Sequence, residues 1–310
     1  GTVIGLERAV AVKRRAAFVA PLCSSFAGLC ALAGAASWAA WLAALAAAVF
    51  TGVNVLVVSR QRAAHTAVLL GGACAWLVGT LLDALGARSD AVLPWLLSFL
   101  VLTIAAERLE MARLMRHRKG ALASLLALLA ALLLAAAACS FSARWGGLVF
   151  GLALMGLASW LLSFDIARRT VFARGLSRYM AMCLLLGYAW LAVSGAAWVG
   201  MSFGYGARDA ALHALALGFV LSMVMGHAPV ILPALTRIKL HYSRWFYLPL
   251  VLLHASLVAR LAWGSLDAQW KARGAVANVA AIVLFALTMA GAALAWRARH
   301  ATPRTRERAS

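Results

Sequence analysis

The sequence predicts an all-α protein, a polytopic bundle of transmembrane helices. Of its 310 residues, 65% are hydrophobic and 12% are charged, whereas soluble domains have about 45–50% apolar and about 25% charged residues. The apolar residues form runs of about 20, the length at which a helix crosses a bilayer. Cationic residues concentrate in alternate connections between these runs. The composition therefore excludes a soluble enzyme and a disordered chain.

Ten full spans follow from the apolar runs. The connections between them are too short for a soluble domain, so we interpret residues 1–310 as one transmembrane domain. In chain order the predicted spans cover residues 16–34, 36–58, 64–86, 91–113, 120–139, 145–166, 179–201, 210–235, 245–263 and 274–296. The opening residues have the pattern of the second half of another span, which gives 10–11 visible spans. We therefore expect an N-terminal truncation.

The lysine and arginine residues are divided unequally between the two sides of the predicted bundle. Of the 29 cations, 21 fall in one set of connections and in the basic tail 297–310, and 5 fall in the other set. The positive-inside rule makes the first side, and hence the C-terminus, cytoplasmic. The net charge of +20 is then an orientation signal with affinity for anionic lipid, and nucleic acid is not expected as a partner. The abundance of Ala, Gly and Arg is typical of a GC-rich bacterial genome and favours the bacterial inner (cytoplasmic) membrane.

Short polar motifs recur at every fourth span. Glu-Arg stands in GLERAVAVKRR (5–15) and again in AAERLEMARLMRHRK (105–119), and four spans later the span 210–235 carries Gly-His-Ala-Pro at a similar depth. The pattern predicts three four-helix units around a pseudo-threefold axis, with twelve spans in the full-length protein. Internal repeats of this kind are common in membrane proteins.

The recurring charges predict a polar cluster formed by Glu7, Arg8, Glu107 and Arg108. Ionisable groups within a span are costly, so each is a candidate for a function. Such a cluster could relay protons or hold the propionates of a heme. The alternative is a structural set of ion pairs that ties the repeats together.

Three of the seven histidines lie within spans: His213, His227 and His254. In a regular α-helix, His213 and His227 share one face but lie roughly 21 Å apart, too far for one metal ion. His227 and His254 flank one connection at similar distances, so neighbouring antiparallel helices would place them at one depth. Two neutral imidazoles in this arrangement can ligate heme iron or copper. Alternatively, one is bonded to a carbonyl and the other lies at a helix kink.

Two prolines follow His227 in the same span. Pro229 and Pro233 remove backbone hydrogen bonds from the helix. A helix break of this kind is tolerated in a membrane where it is buried in protein or lines a cavity. The prolines therefore favour an internal site in the cytoplasmic half of the bundle.

The segments HALALGFV (213–220) and GHAPVILP (226–233) resemble the characteristic helix of NnrS-like proteins. These are membrane proteins of the nitric-oxide response, related to the catalytic subunit of heme–copper oxidases. GLERAVAV, AERLEMARL and LGYAWL (186–191) resemble uncharacterised members of the same group. The resemblance implies bound heme, with copper as a further cofactor, and His213 matches the histidine that opens the HAL motif. The chain has no His-x-His in the span 210–235 and no His-His pair, so oxygen reduction is not expected.

The sequence thus favours a heme- and copper-binding membrane protein that acts in nitric-oxide or nitrosative-stress tolerance without being a full oxidase. His213, His227 and His254 are the candidate cofactor ligands, with His213 and His254 the candidate metal ligands, and membrane lipid and an electron-transfer protein are the candidate partners. Two alternatives stay open. One is a transporter or channel with an intramembrane Glu, Arg and His path, and the other is a structural or assembly factor.

Overall fold

The structure, a computed structural model, describes residues 1–111, 120–264 and 267–300. All regular elements in these ranges are helical. The α-helices are α1 (Thr2–Val12), α2 (Val19–Leu32), α3 (Ala36–Arg60), α4 (Ala64–Ala84), α5 (Ser89–Met111), α6 (Ala121–Phe141), α7 (Ala143–Phe164), α8 (Ala167–Thr170), α9 (Leu176–Ser202), α10 (Arg208–His213), α11 (Ser222–Thr236), α12 (Tyr247–Ala262) and α13 (Ala268–His300). A π-helical segment, Ala214–Leu221, joins α10 to α11, and 3-10 turns Arg15–Phe18 and Arg244–Phe246 precede α2 and α12.

The predicted all-α fold class is confirmed, and each predicted span overlaps one candidate membrane span of the structure. Within the described ranges, ten helices are long and apolar enough to cross a membrane. The last one is longer than predicted, because it begins at Ala268 and continues to Arg299. Parts of the sequence interpretation lie outside the described residues, namely the end of the span 91–113, the basic connection after it and residues 301–310 of the tail.

Large apolar side chains cover the outside of the helices. Leu32 is 88% exposed, and Trp38, Leu134 and Val276 are each 71% exposed. Apolar surface of this extent is unfavourable in water and marks contact with lipid or with another protein. The exterior therefore agrees with the composition: this is a polytopic helical membrane protein.

The chain forms two compact units. Unit 1 comprises Gly1–Asp165 and Ala192–Ala211. Its core includes three aromatic rings, Phe50 of α3, Trp76 of α4 and Phe99 of α5, with Trp76 and Phe99 stacked at 4.9 Å between ring centroids. Phe50 meets both rings edge-on. Aromatic pairs in these geometries add about 0.5–1.5 kcal/mol each beyond the burial of area.

Helices α7 and α9 approach closely in unit 1 at two glycines. A Cβ atom built on Gly151 would lie 2.5 Å from the carbonyl oxygen of Gly195, and one built on Gly195 would lie 2.6 Å from the carbonyl oxygen of Gly151. Small residues of this kind let helix backbones pack in a membrane, where the hydrophobic effect does not drive helices together.

Unit 2 comprises Ile166–Leu191 and the described residues from Leu212 onward. Its core includes Tyr179 of α9, Met225 of α11, Leu253 of α12 and Phe285 of α13. The 3-10 turn before α12 adds Phe246, whose ring meets that of Tyr179 edge-on at 5.6 Å. Four helices therefore share this core, to which the histidine-bearing span contributes Met225.

We expect Gly151→Ala to destabilise unit 1 by about 1–3 kcal/mol, the usual cost of overpacking, because the added methyl group overlaps a backbone carbonyl. The matched control is Gly52→Ala in α3, where a Cβ atom meets nothing within 4 Å. Thermal unfolding in detergent, followed by tryptophan fluorescence, measures both changes. Equal melting temperatures for the two variants would contradict the close approach of α7 and α9.

Candidate functional site

The side chain of His254 is held by a tryptophan within unit 2. The Nδ1 atom of His254, on α12, accepts a hydrogen bond of 2.8 Å from Nε1–H of Trp190 on α9. The two rings lie parallel within 5°. Because the indole N–H can only donate, Nδ1 must carry a lone pair. A neutral His254 therefore has its proton on Nε2.

The other nitrogen of His254 faces a buried serine. Nε2 lies 3.5 Å from Oγ of Ser222, and the Ser222 hydroxyl donates a 2.6 Å hydrogen bond to the carbonyl oxygen of Gly218. The Ser222 oxygen is thereby left to accept from Nε2–H. Trp190, His254, Ser222 and Gly218 form one line of polar groups, which we call the Trp190–Gly218 polar line.

A glycine makes room for the indole in this line. A Cβ atom at Gly218 would overlap the Trp190 ring, and one at Gly187 would lie 3.4 Å from the carbonyl oxygen of Phe219. The absence of side chains at these two positions lets α9 approach the π-helical segment. Substitution of Gly218 would therefore displace Trp190 from His254.

The line ends in the π-helical segment Ala214–Leu221. π-helical turns are rare and are frequent at functional sites. The sequence analysis assumed a regular α-helix between His213 and His227, and this assumption is wrong over the eight residues of the segment. A π turn rotates less per residue than an α turn, so the predicted shared face of the two histidines does not follow. His213 itself is the last residue of α10 and is half-buried.

His227 has the opposite hydrogen-bond polarity to His254. Its Nδ1 lies 2.7 Å from the carbonyl oxygen of Met223, one turn earlier in α11, and the ring is buried. A carbonyl oxygen can only accept, so Nδ1 carries the proton and Nε2 carries the lone pair. Metal-binding histidines have this arrangement, because their second nitrogen usually donates to a carbonyl or carboxylate. The same hydrogen bond also agrees with the structural alternative, in which one of the two histidines bonds a carbonyl and binds no metal.

Both prolines lie inside α11, and the helix continues through Pro229 and Pro233 to Thr236. They therefore remove backbone hydrogen bonds without ending the helix. Each proline leaves a carbonyl in the preceding helical turn without its usual backbone donor. These carbonyls lie next to His227. The predicted break is thus a local loss of backbone donors beside a buried histidine.

The contacts bring His254 to Ser222 on α11. His227 lies five residues further along, about 7.5 Å at 1.5 Å per residue. The pairing of His227 with His254 in one ligand set stays a prediction. Among the described residues, no group of three or more His, Cys, Asp and Glu side chains could hold a metal ion.

In unit 1, the four charged residues of the predicted polar cluster lie on two helices, Glu7 and Arg8 on α1 and Glu107 and Arg108 on α5. Glu107 on α5 lies within electrostatic range of Glu7 and Arg8 on α1 and of its neighbour Arg108. Arg108 is buried, with its guanidinium 2.7 Å from the sulfur of Met111. The arrangement suits a proton-exchanging group and a structural ion-pair set equally.

The sequence analysis missed Trp190 and Ser222. A serine or tryptophan in an apolar run is common, so neither residue type gives a strong signal by itself. The available signal was Gly218 in the middle of a helix, which indicates a close approach by another element.

Comparison with models of protein families matches the chain to one family. The family model described as "Domain of unknown function (DUF8744)" matches residues 1–294, and the chain belongs to this family. No curated protein and no solved structure matches it.

We expect Trp190→Phe to change the ¹⁵N chemical shifts of the His254 ring, because Nδ1 loses its hydrogen-bond donor. The lost bond should also cost about 0.5–1.5 kcal/mol of stability. Solid-state NMR of histidine-labelled protein in bilayers measures the shifts. The control is Trp160→Phe, which removes an indole donor to the Ala121 carbonyl and the Ser124 hydroxyl in unit 1. Unchanged His254 signals in Trp190→Phe would refute the bond.

Proposed function

We propose that this DUF8744 protein is an integral membrane protein that binds heme through histidines of its span Arg208–Ala234. The observation that carries the proposal is the hydrogen bond from His227 Nδ1–H to the Met223 carbonyl, which prepares Nε2 to ligate iron. His213, at the start of the π-helical segment, supports it through the resemblance of its HAL segment to NnrS-like proteins. When bound, heme would supply a site for a diatomic gas such as nitric oxide.

The same criterion gives His254 a different role. A metal at its Nε2 requires a proton on Nδ1, but Nδ1 accepts from Trp190. With this hydrogen bond in place, His254 is poorly suited to ligate a metal. It is better suited to donate a hydrogen bond from Nε2. Copper bound by His213 and His254 is therefore the weaker form of the proposal, and it requires the Trp190 bond to break.

We place the protein in the bacterial inner (cytoplasmic) membrane with a cytoplasmic C-terminus. The orientation is supported by the unequal distribution of the 29 cations over alternate connections. The bacterial membrane is supported by the abundance of Ala, Gly and Arg. A role in nitrosative-stress tolerance and an electron-transfer partner rest on the resemblance to NnrS-like proteins. Oxygen reduction is not proposed, because the histidine pairs of an oxidase are missing from the sequence.

The test of heme binding is the visible spectrum of the full-length protein purified in detergent after expression with heme available. We expect a Soret band that His227→Ala abolishes and that His213→Ala abolishes or shifts. His65→Ala is the matched control, because His65 is also buried but lies on α4 in unit 1. Melting temperatures separate loss of heme from loss of fold.

A colourless wild-type protein without copper by elemental analysis would refute the proposal. A Soret band that survives both His213→Ala and His227→Ala would also refute these ligands. A band lost in His254→Ala but retained in His227→Ala would favour the weaker form, with His254 as the ligand.

A second candidate function is proton movement through the membrane. It is favoured by a specific observation, the Trp190–Gly218 polar line, in which Ser222 is fully buried and hydrogen-bonded at its hydroxyl. Within this line only the His254 imidazole and the Ser222 hydroxyl can exchange donor and acceptor roles. The indole N–H only donates and the Gly218 carbonyl only accepts, so a proton would have to enter and leave at His254 and Ser222. The polar cluster around Glu107 in unit 1 could serve the same function.

For this candidate we expect proteoliposomes under a potassium-diffusion potential to acidify, as reported by a trapped pH-sensitive dye. Ser222→Ala should slow the flux by about tenfold, the effect of about 1.4 kcal/mol from one buried hydrogen bond. Glu107→Gln should also slow it, because an amide cannot take up and release a proton as a carboxyl group does. Ser194→Ala is the control, since this fully buried hydroxyl bonds the Ala211 carbonyl in unit 1. Absence of wild-type flux, with a lower melting temperature in Glu107→Gln, would favour a structural role.

A further inference from the structure

The connection between α11 and α12 is attached to α13 within unit 2. We call its residues 237–243 the α11–α12 strap. The backbone N–H of His241 donates a 3.1 Å hydrogen bond to the carbonyl oxygen of Ala292. The ammonium group of Lys239 lies 5.4 Å from the ring centroid of Trp296. A backbone hydrogen bond and a cation–π contact therefore fix the position of the strap on α13.

A further contact of the strap depends on the charge of a histidine. Nε2 of His241 lies 2.9 Å from a guanidinium nitrogen of Arg299. A guanidinium group can only donate hydrogen bonds, so Nε2 carries the lone pair and the neutral ring has its proton on Nδ1. A protonated imidazole has a proton on both nitrogens and cannot accept. Uptake of one proton by His241 therefore removes the bond and brings two cations into contact.

The charged side chains on the elements that meet at the strap are all cations. They are Arg237 and Lys239 in the strap, Arg244 before α12, Arg297 and Arg299 on α13, and Arg178 on α9. The phenols Tyr242 and Tyr247 also lie here, and burial raises the pKa of Tyr242 to about 12, so it stays neutral. Among the described residues of unit 2, Asp267 is the one carboxylate, and it lies beyond the other end of α12. A protonated His241 thus meets no carboxylate within the described part of unit 2.

The strap follows the proline-containing end of α11. Pro229 and Pro233 have no N–H to donate, so the last turns of this helix lack two backbone hydrogen bonds. Arg237 donates its N–H to the Pro233 carbonyl at 2.9 Å. Its φ of 60° is a left-handed conformation that is uncommon for residues other than glycine. The end of α11 is therefore held by fewer local bonds than a regular helix end, and its attachment through the strap contributes more to its position.

We propose that the α11–α12 strap is a pH-sensitive device that protonation of His241 releases. At neutral pH the imidazole accepts from Arg299 and the strap stays on α13. In acid this bond is lost, the two cations repel each other, and the backbone bond to Ala292 opens more often. The end of α11, the helix that carries His227, then becomes more mobile. The inference requires neither bound heme nor proton transport, so it stands or falls independently of both candidate functions.

The experiment is hydrogen exchange of the full chain in lipid nanodiscs, followed by mass spectrometry. Samples are compared at about pH 7.5 and about pH 5, the range over which histidine changes its charge, with exchange times scaled for the intrinsic pH dependence of amide exchange. We expect protection of the peptide that contains the His241 amide to fall about fivefold in acid, as expected for the loss of one exposed hydrogen bond.

Two substitutions of His241 separate loss of the bond from a general effect of acid. His241→Gln keeps an oxygen that can accept from Arg299 but takes up no proton, so the strap should stay protected at both pH values. His241→Arg has a permanent positive charge and no acceptor, so protection should be low at both pH values, within about twofold of the acidic wild type. Melting temperatures check that both variants fold.

Two matched controls test the assignment to this contact. Arg297→Gln removes an exposed cation from the same helix end but leaves the bond between His241 and Arg299, so the pH response should persist. The α2–α3 connection, residues 33–35, is held by backbone hydrogen bonds to α2 and contains no titratable side chain. Its protection should not change with pH.

Three outcomes would overturn the proposal. The first is equal protection of the wild-type strap at both pH values. The second is an undiminished pH response in His241→Gln, because another group would then be titrating. The third is an equal loss of protection in residues 33–35, which would mean that acid loosens the whole protein.

Discussion

The structure depends on one constraint: hydrocarbon offers no hydrogen bonds, so each polar group within a span needs a partner in the protein. The backbone meets it by forming helices throughout the described spans. Polar side chains meet it locally, as Thr80 and Thr103 do by bonding the carbonyl four residues earlier. A side chain that instead bonds another helix, as Trp190 does with His254, fixes two helices together. Such bonds identify the parts of the bundle with a specific arrangement.

Close backbone approach is what makes the inter-helix bonds possible. In unit 2, Gly187 and Gly218 remove the side chains that would keep α9 from the π-helical segment. The indole of Trp190 then occupies the space over Gly218 and reaches His254. The π turn contributes the carbonyl of Gly218, to which Ser222 donates. Glycine, tryptophan, serine and histidine thus form one cooperative unit, in which loss of any member removes the partner of another.

The fold could be predicted from the sequence because it rests on local quantities. The lengths of the apolar runs and the positions of the cations located all ten spans. His227 and His254 were identified because histidine is rare within a transmembrane span. The π-helical segment and the Trp190–His254 bond could not be predicted, since both depend on which helices are neighbours. The repeat with twelve spans stays a prediction.

The opposite polarity of the two histidines bears directly on the choice between the candidate functions. His227 donates from Nδ1 and presents a lone pair on Nε2, whereas His254 accepts at Nδ1 and presents a proton on Nε2. A ligand to iron must offer a lone pair, and a proton-transfer group must offer a proton. The two roles therefore belong to different residues, and they need not compete. A heme held by His227 through Nε2 would keep the Nδ1–H bond to the Met223 carbonyl, and His254 would keep the hydrogen bond that it accepts from Trp190.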